Sequence, residues 1–137
     1  MAQKMIFVNL PVEDVAASRT FFEKLGWTIN PQFSDESTAC VVISDTIFAM
    51  LLEAPKFRDF MAPGKELADA TRTTEVLVTV SAESREEVDA LAEAALAAGG
   101  TPAKEPLDHG FMYGRSFTDL DGHHWEIFWM DPAAVQG

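Results

Sequence analysis

Near the end of the chain, "DLDGHHWEIFWMD" (119–131) places His123, His124 and Glu126 within four positions. Imidazole nitrogen and carboxylate oxygen are donors for first-row divalent metals. In extended backbone, alternate side chains share a face, so His124 goes with Glu126, while His123 and Trp125 point the other way. A second glutamate, Glu75, opens the apolar run "EVLVTV". If Glu75 and Glu126 converge, two chemistries follow. They can give two oxygens to a divalent ion (zinc, nickel, manganese or iron), which needs three or four donors at about 2.0–2.2 Å. Without a metal, like-charge repulsion and desolvation raise at least one pKa, which suits a general base removing a proton beside a carbonyl. The structural alternative pairs either glutamate with Arg72 or Arg115. His124 is either a third metal donor or a histidine at the strand entrance that bonds a turn or water.

Two other groups bear on ligand binding. In "GFMYGRS" (110–116), Tyr113, Arg115 and Phe117 alternate onto one face. An arginine beside an aromatic can hold a carboxylate or phosphate; equally, Arg115 can be an edge residue balancing local acids. Toward the N-terminus, Phe7, Phe48, Met50 and Leu52 would form the apolar half of a cavity, with Asn9 as its polar member. His109, after Asp108 and before Gly110, reads as a loop residue. No phosphate-binding glycine loop, serine elbow or CxxC is present, so nucleotide binding and the usual nucleophiles have no support.

These side chains need elements to hold them. Met5 to Leu10 reads as a buried strand ended by Pro11. Asp14 caps a helix whose face carries Val15, Ser18, Phe22 and Leu25, widened by Phe21 and stopped by Gly26. Strands follow at Trp27–Asn30, Thr38–Ile43 and Ile47–Leu52. Residues 54–72 show no period and read as a connector with one helical turn around Phe57 to Phe60; "FRDFM" there is a lid, a dimer contact or cover. Then the order returns: a strand at Glu75–Val80, and a capping box, Ser84 and Glu87, before a helix lined by Val88, Leu91, Ala92, Ala95 and Leu96. After Gly99-Gly100 come extended segments at Thr101–Ala103, Phe111–Thr118 and His123–Trp129. The opening strands correspond at an offset of 68 (Phe7 to Glu75), the last turns at 76 (Asp45 to Asp121, hence Met50 to Glu126). The fold expected is α+β: one domain, 1–137, of two βαβββ modules (about 4–53 and 73–130).

The totals narrow the function. The chain has 137 residues, 47% hydrophobic and 23% charged, enough for one domain with a core. A net charge of −12 argues against nucleic acid and anionic membranes as partners. The single cysteine, Cys40, sits in an apolar run and reads as buried and inert. The start, Met1-Ala2-Gln3-Lys4, shows no signal-peptide core, and no stretch is long enough to span a bilayer. The expectation is a cytoplasmic protein.

"FVNLPVEDVAASRTFFEKLGW" (7–27) and "FTDLDGHHWEIFW" (117–129) resemble the vicinal oxygen chelate superfamily of glyoxalases, bleomycin resistance proteins and extradiol dioxygenases. The second is similar to that group's D-P-D-G-x-x-W-E ending, with Leu120 in place of proline. The wording also resembles a bacterial glyoxalase-like subgroup with no assigned reaction. The resemblance implies that the two modules form a cupped mixed β-sheet with helices on the outer face, and a site on its concave face with metal ligands from the first and last strands of each module. Those positions are Phe7, Met50, Glu75 and Glu126. Phe7 has no donor atom, and a Met50 thioether suits copper(I) better than harder ions, so the metal site reads as degenerate and no cofactor is expected. The resemblance implies a homodimer that traps a small, partly aromatic molecule. The alternative is a glyoxalase-like lyase, isomerase or dioxygenase working through Glu75 and Glu126, with His124 recruited if a metal binds.

Overall fold

A computed structural model describes residues 3–135. Met1 and Ala2, part of the start read as lacking a leader, lie outside the described residues. The chain forms two compact units, Met1–Asp69 and Ala70–Gly137. The fold is α+β, and each unit is built on the β-α-β-β-β order expected.

In the first unit, β1 (Ile6–Val12) is followed by α1 (Val15–Lys24), β2 (Thr28–Ile29), a 3-10 turn (Pro31–Phe33), β3 (Thr38–Val42), β4 (Ile47–Glu53) and α2 (Ala54–Phe60). The sheet order is β1-β4-β3-β2, with β1 parallel to β4 and the other pairs antiparallel. Asp14 caps α1 by accepting from the Ala17 amide at 3.1 Å, and the helix buries Val15, Ser18, Phe21 and Phe22. Two expectations change here. Pro11 does not end β1; the strand runs on to Val12 because β1 lies at the end of the sheet, where proline is tolerated. Nor is β1 buried throughout: Ile6 and Phe7 are exposed, while Leu10 and Val12 are in the core. The connector holds more helix than expected, because Pro55 falls in the first turn of α2, where its missing N–H costs nothing.

The second unit runs β5 (Leu77–Ser81), α3 (Arg85–Ala97), β6 (Thr101–Pro102), β7 (Leu107–Asp108), β8 (Met112–Thr118) and β9 (His124–Met130). Its order is β5-β9-β8-β6, with β7 also on β8 and β5 parallel to β9. The capping box forms with one variation. Ser84 accepts from the Glu87 amide at 3.1 Å, but the Glu87 carboxylate reaches back to the Glu83 amide rather than that of Ser84. The two-residue β7 was not foreseen. It belongs to a turn in which Asp108 accepts from the Gly110 amide and Gly110 takes a φ of +82°.

α1 packs on β3 and β4, and α3 on β8 and β9. Each sheet thus has a helix-covered face, carrying Ala49, Leu51 and Val41 in the first unit and Phe117, Trp125 and Ile127 in the second, all buried. The opposite face of the second sheet is left open by α3; that of the first sheet is left open by α1 and partly bordered by α2, which packs against β1 and β4. Among the described residues, no helix is long and apolar enough to cross a membrane.

Candidate functional site

Register assigns the open face of the first unit. Phe7 pairs with Phe48, Asn9 with Met50 and Pro11 with Leu52; Cys40 and Thr38 stand opposite Met50 and Leu52 on β3. All share one face because their strand neighbours, Leu10, Ala49, Leu51 and Val41, are in the helix-covered core. Phe7 and Phe48 stack, with ring centroids 4.8 Å apart and planes 11° apart. Beside them is a cavity of about 300 Å³. Asn9, Thr38, Met50 and Leu52 form its sheet wall, Gln32 to Asp35 a second wall, and Lys56 and Phe60 of α2 a third. Lys56 Nζ lies 3.2 Å from Asp35 Oδ2, and Asn9 Nδ2 donates to the Phe7 carbonyl at 3.2 Å. Of the ligand residues expected from sequence, Asn9 and Met50 line the cavity, and Phe7 and Phe48 adjoin it on the same face.

In the second unit, His124 and Glu126 share the open face of β9, as alternation requires. His124 Nε2 lies 3.8 Å from Glu126 Oε2, beyond hydrogen-bond reach, and this buried nitrogen has no hydrogen-bond partner among the described residues. Across from Glu126 stands Thr79, and across from His124 stands Leu77. Glu75 is not on the strand. β5 begins two residues later, at Leu77, and Glu75 is exposed ahead of it. The offset between the opening strands is therefore 70 (Phe7 to Leu77) and not 68, since Phe7 pairs with Phe48 and Leu77 with His124. The hairpin offset of 76 holds throughout: Val42 pairs with Phe48 as Thr118 pairs with His124.

The corrected register weakens the fit to a metal. Of the four strand positions, Phe7 and Leu77 have no donor and Met50 has only a soft sulfur, so Glu126 alone is a hard ligand. Among the described residues, no three His, Cys, Asp or Glu side chains gather as a metal-binding group.

Tyr113 and Arg115 occupy the helix-covered side of β8. Tyr113 donates its hydroxyl to Asp89 at 2.6 Å. Arg115 pairs with Asp89 at 3.1 Å and with Glu93 at 2.6 Å. Arg85 sits 4.4 Å above the Tyr113 ring and binds Asp108 at 2.5 Å. The Tyr113 bond holds the Asp89 carboxyl below its ordinary pKa, and the same bond pushes the Tyr113 phenol up. Arg115 also borders a hollow of about 440 Å³ with Lys104, Glu105 and Ser116. Both residues thus act as a clamp between α3 and the sheet, on the side opposite His124 and Glu126. Asp89 and Glu93, four apart on α3, were the sequence signal for this.

Asp119, the first residue of the D-x-D-G-x-x-W-E ending, carries a role that the sequence did not assign. It is nearly buried, and Oδ2 accepts from Trp125 Nε1 at 3.0 Å. Oδ1 accepts from the amides of Asp121 and His123 at 2.9 and 3.0 Å. Burial raises its pKa, against the field of His123. Gly122 completes the turn with φ +87°; a Cβ there would meet the Ala70 carbonyl oxygen at 2.8 Å. The D-x-D-G-x-x-W pattern is therefore a scaffold that aims β9, and with it Glu126. Also missed were Thr38, Asp35 and Lys56, which sit in segments read as strand or loop without side-chain chemistry.

Comparison with known proteins agrees with this architecture. Residues 4–44 match the family model of the bleomycin resistance protein-like N-terminal region. The hypothetical protein SA1046 from S. aureus is 34% identical, over 94% of this chain and 95% of that one, with a TM-score of 0.75. A glyoxalase/bleomycin resistance protein/dioxygenase family enzyme from Burkholderia phytofirmans PsJN shares the fold at 18% identity, over 93% of this chain and 99% of that one, with a TM-score of 0.78. So does the fosfomycin resistance protein FosX from Listeria monocytogenes, at 17% identity over 99% and 100% of the two chains, with a TM-score of 0.68. No curated protein matches the sequence. Two β-α-β-β-β units with parallel β1–β4 and β5–β9 pairs thus give this chain the fold of the structure named as a glyoxalase/bleomycin resistance protein/dioxygenase family enzyme, and its residues 4–44 carry the match to the bleomycin resistance protein-like N-terminal family.

Proposed function

We propose that this protein binds a small, partly aromatic molecule on the open face of its first unit, in the manner of a bleomycin resistance protein and without a high-affinity metal. The observation that carries this reading is the shared face of Phe7, Phe48, Asn9 and Met50 beside a 300 Å³ cavity. That volume is at the lower end for small-molecule sites, which combine apolar walls with a few placed polar groups. The loss of hard donors at three of four strand positions supports the metal-free part. An unpaired cysteine suits the reducing cytoplasm, where this reading puts the protein, as a homodimer.

A second reading has one observation in its favour. His124 and Glu126 share a face, and the His124 Nε2 atom has no hydrogen-bond partner among the described residues. Such a pair would serve a glyoxalase-like lyase, isomerase or dioxygenase, with Glu126 as base and His124 beside it.

Calorimetry separates the two. Bleomycin and a set of single-ring aromatic compounds are titrated into chelator-stripped protein. The binding reading expects micromolar affinity with a negative heat-capacity change and about tenfold weaker binding in Phe48→Ser. No binding of these probes, together with submicromolar zinc, nickel, manganese or iron(II) binding that disappears in Glu126→Gln, would overturn it in favour of a metalloenzyme.

A further inference from the structure

Two donor groups in the cavity wall bear on what it would bind, the Thr38 hydroxyl and the Lys56 ammonium. Thr38 is 5% exposed, and its Oγ1 is buried without a partner among the described residues. Buried hydroxyls are rarely left so, because an unmet polar group costs stability. The Thr38 carbonyl accepts from the Asp35 amide at 2.9 Å, which fixes Thr38 beside the Asp35–Lys56 pair. Asp35 itself is fully engaged. Its Oδ1 accepts from the amide and hydroxyl of Ser37, and its Oδ2 from Lys56. These bonds hold the Asp35 carboxyl below its ordinary pKa, so it stays ionised and anchors the lysine. Among the described residues, Lys56 spends one of its three donors there. Thr38 and Lys56 therefore both line the same 300 Å³ space, with the Thr38 hydroxyl on its buried side. The apolar part of the wall is Met50 and Leu52 on the sheet side and the exposed rings of Phe33 and Phe60; Asn9, Gln32 and Ser34 add polar groups.

We infer that the ligand of this cavity is a single-ring aromatic acid whose carboxylate accepts from Lys56 Nζ and Thr38 Oγ1, while its ring lies between Met50 and the two exposed phenylalanines. The inference rests on the aromatic-ligand reading of the open face and adds the acidic head. The chain's net charge of −12 does not oppose it, since exposed charges farther away than about 8 Å are screened at physiological salt.

The test compares benzoate, benzamide and benzylamine by calorimetry on the full chain. Benzoate is expected to bind at least about tenfold more tightly than either, the margin of a charge-assisted bond. Lys56→Met, which removes the charge and keeps an unbranched side chain one atom shorter, should remove that preference. Thr38→Val should weaken benzoate about threefold or more while raising the melting temperature of the free protein by about 2–4 °C, because the orphan hydroxyl is gone. A purely structural threonine would not move the two readouts in opposite directions. Equal or tighter binding of benzamide or benzylamine, or unchanged benzoate affinity in both variants, overturns the acidic head and leaves the aromatic site standing. Failure of all three probes overturns the aromatic-ligand reading along with it.

Discussion

Trp125 donates its indole N–H to Asp119 at 3.0 Å, from one end of the β8–β9 turn to the other. The same carboxylate accepts two turn amides. One side chain thus satisfies three donors, of which the indole is fully buried. Removing it leaves those donors without their partner, so Asp119→Ala should lower stability by about 2–4 kcal/mol. Urea unfolding measures this, and a loss below about 0.5 kcal/mol would mean that the turn holds itself together by other means.

Metal binding should be weak. Zinc, nickel, manganese and iron(II) titrated into chelator-stripped protein are expected to bind no tighter than micromolar, and Glu126→Gln should change little. The reason is local: the register puts Leu77 where a donor would have to stand and leaves Glu75 outside the strand. Exposed Glu75 has the freedom of a loop side chain, so Glu75→Gln should be equally silent.

Tyr113 and Arg115 should matter for stability and not for ligands of the first unit. Tyr113→Phe gives up the bond to Asp89, worth about 1 kcal/mol. Arg115→Met loses two pairs with half-exposed or exposed carboxylates, together about 1 kcal/mol after solvent screening. Benzoate titration of both variants should match the parent protein.

The clamp also predicts an acid response. Arg85 holds the Asp108 carboxyl, and Tyr113 the Asp89 carboxyl, below the ordinary aspartate value. Their contribution is complete above that ordinary value and is lost as pH falls through the lowered ones. Asp119 works in the opposite sense: burial raises its pKa, so its ionisation costs stability as pH rises through that raised value. Protonating it on the way down therefore softens the acid loss. Unfolding curves between about pH 2 and 6 should show a shallower acid limb in Asp108→Asn than in the parent.

Helices were the most legible part of the sequence. Asp14 and Ser84 announce their caps, and the spacing of Val15, Ser18 and Phe22, and of Val88, Leu91 and Ala95, gives the buried faces as found. The hairpin offset of 76 was also readable, because short antiparallel turns tie register to sequence. The parallel offset was not. β5 meets β9 after a helical crossover, so its register depends on how α3 packs, and "EVLVTV" contains nothing to say that pairing starts at Leu77. Alternation put Tyr113 with Arg115, and His124 with Glu126, but alternation cannot say which side the helix will cover. The cavity wall at Thr38, Asp35 and Lys56 was invisible for another reason: it joins a strand, a turn and a short helix that lie close only once folded.

Cys40 is the chain's one thiol, and it lies 1% exposed on β3 opposite Met50. Burial also pushes its pKa up, so little reactive thiolate forms while the sheet is shut. A disulfide reagent can then reach it only during an opening of β3, and its rate of attack becomes a clock on that event. The reagent reads the first unit and is blind to the second. A ligand seated beside Met50 should slow the clock in proportion to its occupancy, which makes one buried sulfur a gauge of which half of the molecule breathes.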